Sequence, residues 1–222
     1  MGSVHNTGKL RVAVVTGRHP FDVSGFHAVF RSMPEIDPYI QHMEDFVSAP
    51  WDTRKGYDVV VFYNMHMETP GNEQNWWDQD MKPALEQLGE TKQGIFLLHH
   101  ALLAFPQWPF WSQITGIAAR DFTYHMGQTV RYEIADREHP ITRAMIAWQM
   151  VDETYKMSGA APDSHVLITA EHPLSMPTIA WTRTFRAARV FCYESGHDNQ
   201  TYANPNFRTV VARGIQWCAG VI

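Results

Sequence analysis

The sequence contains few cysteines, no concentrated basic segment and no long apolar run. Two cysteines in 222 residues allow at most one disulfide, so a reducing, cytoplasmic location is the simpler prediction. Lysine and arginine are scattered and the formal net charge is −5. This argues against nucleic-acid binding, which depends on clustered cations that contact phosphates. No apolar run approaches the roughly 18 residues of a membrane span, and the first residues lack a signal-peptide pattern, so we expect no membrane partner.

Common catalytic motifs are also missing. The sequence has no HExxH, paired CxxC, P-loop or GxGxxG motif, which argues against zincin, zinc-ribbon, NTPase and dinucleotide-binding functions. Cys192 lies within a predicted strand and Cys218 on a predicted helix, and neither has an electropositive setting that would favour a thiolate. Ser195 lacks the GxSxG context of a nucleophilic serine. We therefore expect neither a cysteine nor a serine nucleophile.

Apolar runs typical of strands buried on both faces alternate with helical patterns. Strand-like runs occupy residues 9–17, 57–64 and 93–100, and helices are predicted over 25–33, 72–89 (interrupted at Pro83) and 207–220. Residues 120–136 alternate instead, which predicts antiparallel strands or a hairpin, and further strands follow at 165–171, 176–182 and 188–196. The pattern predicts one α/β domain over residues 1–222, with a flexible leader at 1–9 and an antiparallel insertion in a mostly parallel sheet.

Histidine is unusually frequent, with 12 residues, and histidines follow four of the predicted strands. They are His19, His66, the pair His99 and His100, and His197. A single histidine after a strand is usually a loop or packing residue. Four such positions favour a polar pocket, because ligands of open α/β sheets bind beyond the carboxyl ends of the strands. Imidazole can act there as a general acid, a general base or a metal ligand.

A carboxylate and several aromatic residues complete this candidate site. Asp152 and Glu153 are adjacent in a predicted strand, so their side chains face opposite sides and only one is expected to enter the pocket. Aromatic rings beside polar groups suit sugars, whose rings have apolar faces, although tryptophan is equally a core residue. The tryptophans near the strand ends are Trp76, Trp77, Trp108 and Trp111.

Together, these segments resemble the ThuA-like (trehalose utilisation) family. The resemblance runs from Arg11 to Gly220 and rests on GRHP, FHAVF, GIFLLHHALLAF, EHPIT, DETY and RVFCYESGH. It implies a class I glutamine amidotransferase-like fold, a flavodoxin-like three-layer α/β sandwich. In glutaminases of that fold, a catalytic cysteine follows the strand that corresponds to residues 94–98. His99 and His100 stand there in this chain, so a cysteine glutaminase is not expected.

The resemblance also implies which residues form the site. The polar residues that recur in the family correspond to His99, His125, His139, Glu153 and His197. We therefore expect catalytic roles for His99, His125, Glu153 and His197, and the same four residues are the ligands if a divalent metal is bound. Substrate-binding roles are expected for His19, His66, His100, Trp108 and Tyr155.

The expected function is that of an enzyme that acts on a sugar or keto-sugar derivative by His/Glu acid–base or metal-assisted chemistry. An isomerase, a hydrolase and a lyase all fit these residues. Two alternatives remain open at this stage: a non-catalytic sugar-binding or complex-forming subunit, and a metal-dependent hydrolase of a non-sugar substrate. The sequence leaves the cofactor and the oligomeric state open.

Overall fold

The computed structural model describes residues 8–71 and 80–222. Most of the predicted leader, part of the helix predicted over 72–89, and both Trp76 and Trp77 therefore lie outside the described residues. The first half of the described chain contains β1 (Leu10–Gly17), α1 (Val23–Arg31), β2 (Ile36–His42), α2 (Met43–Ser48), α3 (Trp51–Arg54), β3 (Val59–Asn64), α4 (Met81–Glu86) and β4 (Gly94–Leu98). A 3-10 turn (His99–Leu102) follows, and then α5 (Pro109–Thr115), β5 (Thr123–Ile134), β6 (Trp148–Lys156), β7 (His165–Ala170), β8 (Thr178–Phe185), β9 (Ala188–Tyr193), α6 (Asn199–Ala203) and α7 (Pro205–Cys218).

Within these residues the strands form one nine-stranded sheet in the order β2-β1-β3-β4-β9-β8-β7-β5-β6. The first five strands in this order are parallel to their neighbours. From β9 onward each neighbouring pair is antiparallel. The predicted α/β fold with an antiparallel insertion is confirmed, and the inserted strands extend the same sheet.

Helices cover both faces of the parallel part of the sheet. Val12 and Val14 of β1 pack with α1 and α7 in one core, whereas Ala13 and Val15 pack with α2, α4 and α5 in the other. This alternation follows from strand geometry, since successive side chains point to opposite faces. The continuous apolar runs of β1, β3 and β4 are thus explained by a strand environment that is buried on both sides.

The antiparallel part differs in detail from the pattern in the sequence. The alternating segment around residue 130 is one 12-residue strand, β5, rather than a hairpin. Its partner is β6, which lies further along the chain, and a register shift separates His125 from Gln128 in their pairing. Although β6 is last in the sheet order, Asp152 contacts the segment that follows β9. The β5–β6 ribbon therefore curls over the carboxyl edge of the parallel strands.

The parallel arrangement sets the position of the candidate site. β1, β3, β4 and β9 run side by side in the same direction, so the residues that follow them lie along one edge. None of the helices in the described ranges is both long and apolar enough to cross a membrane.

Candidate active site

His99 occupies a sharp turn directly after β4. Its φ angle is +54°, a left-handed conformation that is uncommon for residues other than glycine. The chain passes there from a strand into a 3-10 turn, the kind of strained strand-to-helix turn that projects a nucleophile in hydrolases of the α/β class. Backbone strain of this kind persists where the surrounding structure fixes it, often at functional sites. The turn places the His99 imidazole at the carboxyl edge of the parallel strands.

The hydrogen bonds of His99 determine its tautomer. Nδ1 lies 2.6 Å from the Glu194 carbonyl oxygen, which can only accept, so Nδ1 carries the proton. In the neutral ring, Nε2 then has a free lone pair, so it can accept a hydrogen bond or bind a metal ion. Three polar atoms surround it, the Tyr155 hydroxyl at 2.8 Å, Glu153 Oε2 at 3.2 Å and His197 Nδ1 at 3.3 Å. One ring nitrogen cannot satisfy all three contacts at once.

Glu153 and His197 form the other two corners of this cluster. Glu153 Oε2 lies 3.2 Å from His197 Nδ1, the same separation as from His99 Nε2. The hydrogen bond to Glu153 raises the pKa of His197 above its ordinary value, although burial acts against it. Burial alone would raise the pKa of Glu153, but the hydrogen bond from His197 and the contact with His99 outweigh it, so this pKa lies below its ordinary value. Glu153 is therefore an anion at neutral pH.

Asp152 positions the backbone that carries Glu153 and His197. It is fully buried, and its carboxylate accepts hydrogen bonds from the backbone N–H groups of Glu153, Gly196 and His197 at 2.9, 3.0 and 3.1 Å. These bonds fasten the segment that follows β9 onto β6. The two adjacent acidic side chains thus point to opposite faces of β6, as strand geometry requires, and only Glu153 enters the site.

A pocket of about 470 Å³ opens in front of the cluster. The residues that line it are His19, Pro20, Met65, Phe122, Tyr124, Met126, Glu153, Tyr155 and His197. His19 is half-buried, and its Nδ1 lies 2.8 Å from the Pro20 carbonyl oxygen, to which it donates. Burial and the neighbouring His99 lower the pKa of His19. The pocket therefore has a polar floor and a largely apolar wall.

Several predicted site residues lie outside this pocket. His100 is fully buried beneath His19, with ring centroids 4.3 Å apart, and burial lowers its pKa well below the ordinary value. His66 lines a neighbouring depression with Arg18, Met65, Met67 and Glu68, of which only Met65 also lines the main pocket. His100 and His66 are therefore not placed to contact a ligand in the main pocket.

His125 and Trp108 also do not line this pocket. Tyr124 and Met126 line the pocket, and since strand side chains alternate, His125 between them faces the other way, where its Nε2 meets the Thr123 hydroxyl at 3.3 Å. Trp108 is a buried core residue whose ring stacks on Phe110 at 4.8 Å. The position matched to the family at His139 is a turn, where its Nδ1 accepts from the Ile141 N–H.

Other pocket residues were not identified from the sequence. Tyr124 and Met126 lie at the start of β5, Phe122 directly precedes that strand, and Met65 follows β3. The alternation of residues 122, 124 and 126 was visible in the sequence, but the face that it lines depends on how β5 and β6 curl. Glu194, whose carbonyl oxygen fixes the His99 ring, also carries a fully buried carboxyl group, and its position after a strand gives no signal of this role in the sequence.

Neither cysteine belongs to the site. Cys192 and Cys218 are free and fully buried, and both lie in the apolar cores on either side of the sheet. Burial raises the pKa of each thiol. Both side chains therefore act as packing groups, and a thiolate is not available at the pocket.

His99, Glu153 and His197 form the cluster that could hold a metal ion among the described residues. Their three donor atoms are separated by 3.2, 3.2 and 3.3 Å. Three ligand atoms placed about 2.0–2.1 Å from a tetrahedral zinc ion are about 3.3–3.4 Å apart, so the cluster matches such a site. Two histidines and a glutamate are also the protein ligands of several catalytic zinc sites, which keep one position open.

Comparisons with known proteins agree with this fold. A family model described as trehalose utilisation, ThuA, matches residues 40–218. A ThuA-like protein from Bacteroides uniformis is similar in structure with a TM-score of 0.74 and 16% identity, over 98% of this chain and 94% of that one. A ThuA-like protein from Parabacteroides merdae has a TM-score of 0.70 and 18% identity, over 95% and 90%. A glutamine amidotransferase from Thermotoga maritima has a TM-score of 0.53 and 8% identity, over 94% and 98%.

Sequence identities this low to solved structures establish the fold alone. No curated protein sequence matches the chain. The family model carries more weight, since it spans most of the sequence, from β2 to the end of α7. On that match, the chain belongs to the ThuA family, described as trehalose utilisation.

Proposed function

We propose that this protein is a cytoplasmic enzyme that acts on a sugar or keto-sugar derivative with the help of a divalent cation held by His99, Glu153 and His197. The observation that carries the proposal is the trio of donor atoms, 3.2–3.3 Å apart, two of which belong to residues that line a ligand-sized pocket, Glu153 and His197, with the buried His99 behind them. Family membership supplies the substrate class, because the matched model is described as trehalose utilisation.

The surroundings of the cluster support a cation rather than a set of mutual hydrogen bonds. His99 Nδ1–H donates to the Glu194 carbonyl, an outer contact of the kind that fixes the tautomer and orientation of metal-binding histidines. The Asp152 carboxyl group accepts hydrogen bonds from the backbone N–H groups of Glu153 and His197 and so helps to orient these two residues. Glu153 is anionic and would offset part of the charge of the ion. Such a cation would polarise a carbonyl group or lower the pKa of a bound water.

The chain itself contributes proton-transfer and binding groups around this centre. The Nδ1–H of His19 donates to Pro20, and burial lowers the pKa of the ring, so at neutral pH its Nε2 is a proton acceptor at the pocket edge. We assign His19 as the general base that takes a proton from a sugar hydroxyl. The Tyr155 hydroxyl, which burial keeps protonated by raising its pKa, is a hydrogen-bond donor at the floor. A carbonyl-containing sugar would use both groups.

Metal content and turnover test the proposal together. Protein purified without chelator should contain about one divalent ion per chain, measured by elemental analysis. Glu153→Gln and His197→Ala should each lose most of it, whereas the control His125→Ala, on the opposite face of β5, should retain it. Turnover of a keto-sugar should fall about 10²–10⁴-fold in His19→Ala, with the metal retained.

Each outcome has a definite meaning for the proposal. Metal content that is the same in Glu153→Gln and in wild type would overturn the cation site. Tight sugar binding without turnover would favour the non-catalytic sugar-binding subunit. Metal-dependent hydrolysis confined to non-sugar substrates would favour the other alternative.

A further inference from the structure

The segment that follows β9, residues 194–197, carries His197 and is held by buried side chains through its backbone. The N–H groups of Gly196 and His197 donate to the Asp152 carboxyl group at 3.0 and 3.1 Å. Two tyrosine hydroxyl groups contact the carbonyl oxygens of the same two residues. Tyr63 in β3 donates to the Gly196 carbonyl oxygen at 2.8 Å, and the Tyr202 hydroxyl in α6 lies 3.1 Å from the His197 carbonyl oxygen. Every polar backbone group of these two residues therefore has a side-chain partner.

The two tyrosine hydroxyl groups act as a pair. Their oxygens are 2.7 Å apart, and both side chains are only 1% exposed. Tyr63 has one proton, which it donates to Gly196, so the Tyr202 proton is shared between the Tyr63 oxygen and the His197 carbonyl oxygen. Solvent has little access to these groups, so removal of one hydroxyl leaves a buried acceptor without its partner.

Tyr63 also lies beside the other histidine of the cluster. Its ring is close to parallel with the His99 ring, at an angle of 26° and with centroids 6.3 Å apart, and it contacts the His100 ring at 4.2 Å. His99 follows β4, whereas His197 follows β9. One side chain thus borders the first histidine and holds the segment that carries the second.

Gly196 makes these restraints necessary. Its φ angle is +131°, a region that favours glycine, and an added Cβ would lie 3.3 Å from the Phe207 ring and 3.5 Å from His99 Cβ. Glycine has the widest choice of backbone conformations, so the local chain does not fix this one. The side-chain hydrogen bonds to the segment supply the restraint instead.

We propose that Tyr63 and Tyr202 are positioning residues of the cation site. By holding the backbone on both sides of the His197 ring, they keep His197 Nδ1 at 3.2 Å from Glu153 Oε2 and 3.3 Å from His99 Nε2. A ligand on a loose backbone would have to be ordered when the cation binds, which reduces the affinity. This inference rests on the proposed function and concerns the same site.

Zinc affinity of folded variants tests this role without requiring turnover. Chelator-treated wild type, Tyr63→Phe and Tyr202→Phe are titrated with Zn²⁺ in competition with a chromogenic chelator, after circular dichroism has shown that each is folded at the temperature of the titration. Each variant should bind Zn²⁺ about 10–100-fold more weakly than wild type. With Co²⁺ in place of Zn²⁺, the visible absorption bands of both variants should differ from those of wild type, because these bands report the geometry of the ligands.

Tyr132→Phe is the matched control. It removes another fully buried tyrosine hydroxyl, whose partner is the Ser195 side chain rather than a carbonyl group of the segment. This variant should melt at a lower temperature than wild type, as the other two should, but its dissociation constant for Zn²⁺ should equal that of wild type.

Wild-type Zn²⁺ affinity in either Tyr63→Phe or Tyr202→Phe would overturn the inference, and the cation site would stand as long as Glu153→Gln has lost the metal. Equal weakening in all three tyrosine variants would also overturn it, because the loss would then follow from general destabilisation. If wild type binds neither Zn²⁺ nor Co²⁺, the cation site of the proposed function is wrong, and the inference is wrong with it.

Discussion

At the scale of single residues, the two buried carboxyl groups near His99, Glu153 and His197 differ in the number of hydrogen bonds that they accept. Burial raises the pKa of both Asp152 and Glu194. Asp152 is compensated by three backbone N–H groups. Glu194 accepts one hydrogen bond, from the Tyr155 N–H to Oε1 at 2.9 Å, while its Oε2 has no partner among the described residues. Burial therefore favours the protonated form of the Glu194 carboxyl group in the folded protein.

This difference makes the stability of the protein depend on pH at Glu194. The folded-state pKa lies well above the ordinary value of 4.5, so above pH 4.5 the unfolded chain loses a proton that the folded chain keeps. The free energy of unfolding then falls as pH rises from 4.5 toward the folded-state pKa. Glu194→Gln keeps the Oε1 acceptor and has no charge to lose. We expect its melting temperature to exceed that of wild type by several degrees at pH 8, and the difference to vanish near pH 4.

Melting curves of the two proteins at several pH values measure this effect. The control is Glu171→Gln, an exposed glutamate, whose melting temperature should follow that of wild type at every pH. A Glu194→Gln variant that is less stable than wild type at pH 8 would show that the carboxyl group is charged and paired in the fold.

The sequence allowed part of the site to be predicted at this scale. His19, His99 and His197 follow buried strands, and parallel strands deliver such residues to one edge, so their proximity could be anticipated. The strand pattern limited the carboxylate to Asp152 or Glu153, and the family resemblance selected Glu153, in the DETY segment that also contains Tyr155. The positions of His125, His100 and Trp108 depend on which face of β5 meets the pocket and on how closely the loops pack. No pattern in one sequence specifies either.

At the scale of secondary structure, α7 lies unusually close to the sheet. Gly214 faces Phe191 of β9, and a methyl group at that position would overlap the Phe191 ring, which is fully buried against Phe96 with ring centroids 4.7 Å apart. The glycine thus sets the distance between the helix and the strand. The apolar spacing of α7 was readable from the sequence, but the need for glycine follows only from the approach of the two elements.

Gly214→Ala tests this close approach. Helix propensity alone would stabilise α7 by about 0.8–1 kcal/mol. Overpacking of a core that cannot shift costs about 1–3 kcal/mol, so we expect a net loss of stability in chemical denaturation. Ala212→Gly, in the same helix, measures the propensity difference without the overlap and should cost about 0.5–1 kcal/mol. A Gly214→Ala variant that is more stable than wild type would mean that the helix can move away from β9.

The strands show where prediction from the sequence ended. β1, β3 and β4 were identified because strands buried on both faces have continuous apolar runs. β2 has a weak signal in the sequence, since it is an edge strand with Pro38 in which only Ile36 is fully buried. The position of β9 between β4 and β8, which brings His197 to His99, is a long-range pairing that the local sequence does not encode.

At the scale of the whole molecule, the candidate cation site joins segments that are far apart in the chain. His99 follows β4, Glu153 lies in β6 and His197 follows β9, so the three donor atoms come together only when the sheet is complete. The unfolded chain has no such arrangement. Binding of a cation to the cluster must therefore stabilise the fold as a whole.

The melting temperature should consequently depend on the divalent cation. At a free Zn²⁺ concentration about 100 times the dissociation constant, a single site stabilises the fold by about 2.7 kcal/mol. For a chain of about 220 residues, each kcal/mol raises the melting temperature by about 2–4 °C, so we expect a rise of about 5–11 °C over chelator-treated protein. Glu153→Gln should show little of this rise, because it replaces the anionic ligand with a neutral amide, whereas His125→Ala should show all of it.

Thermal unfolding followed by circular dichroism, with Zn²⁺, Mn²⁺ and EDTA in parallel, measures the effect. Equal shifts in wild type and Glu153→Gln would place the bound cation elsewhere on the protein, and the absence of a shift with either metal would contradict a site built from His99, Glu153 and His197.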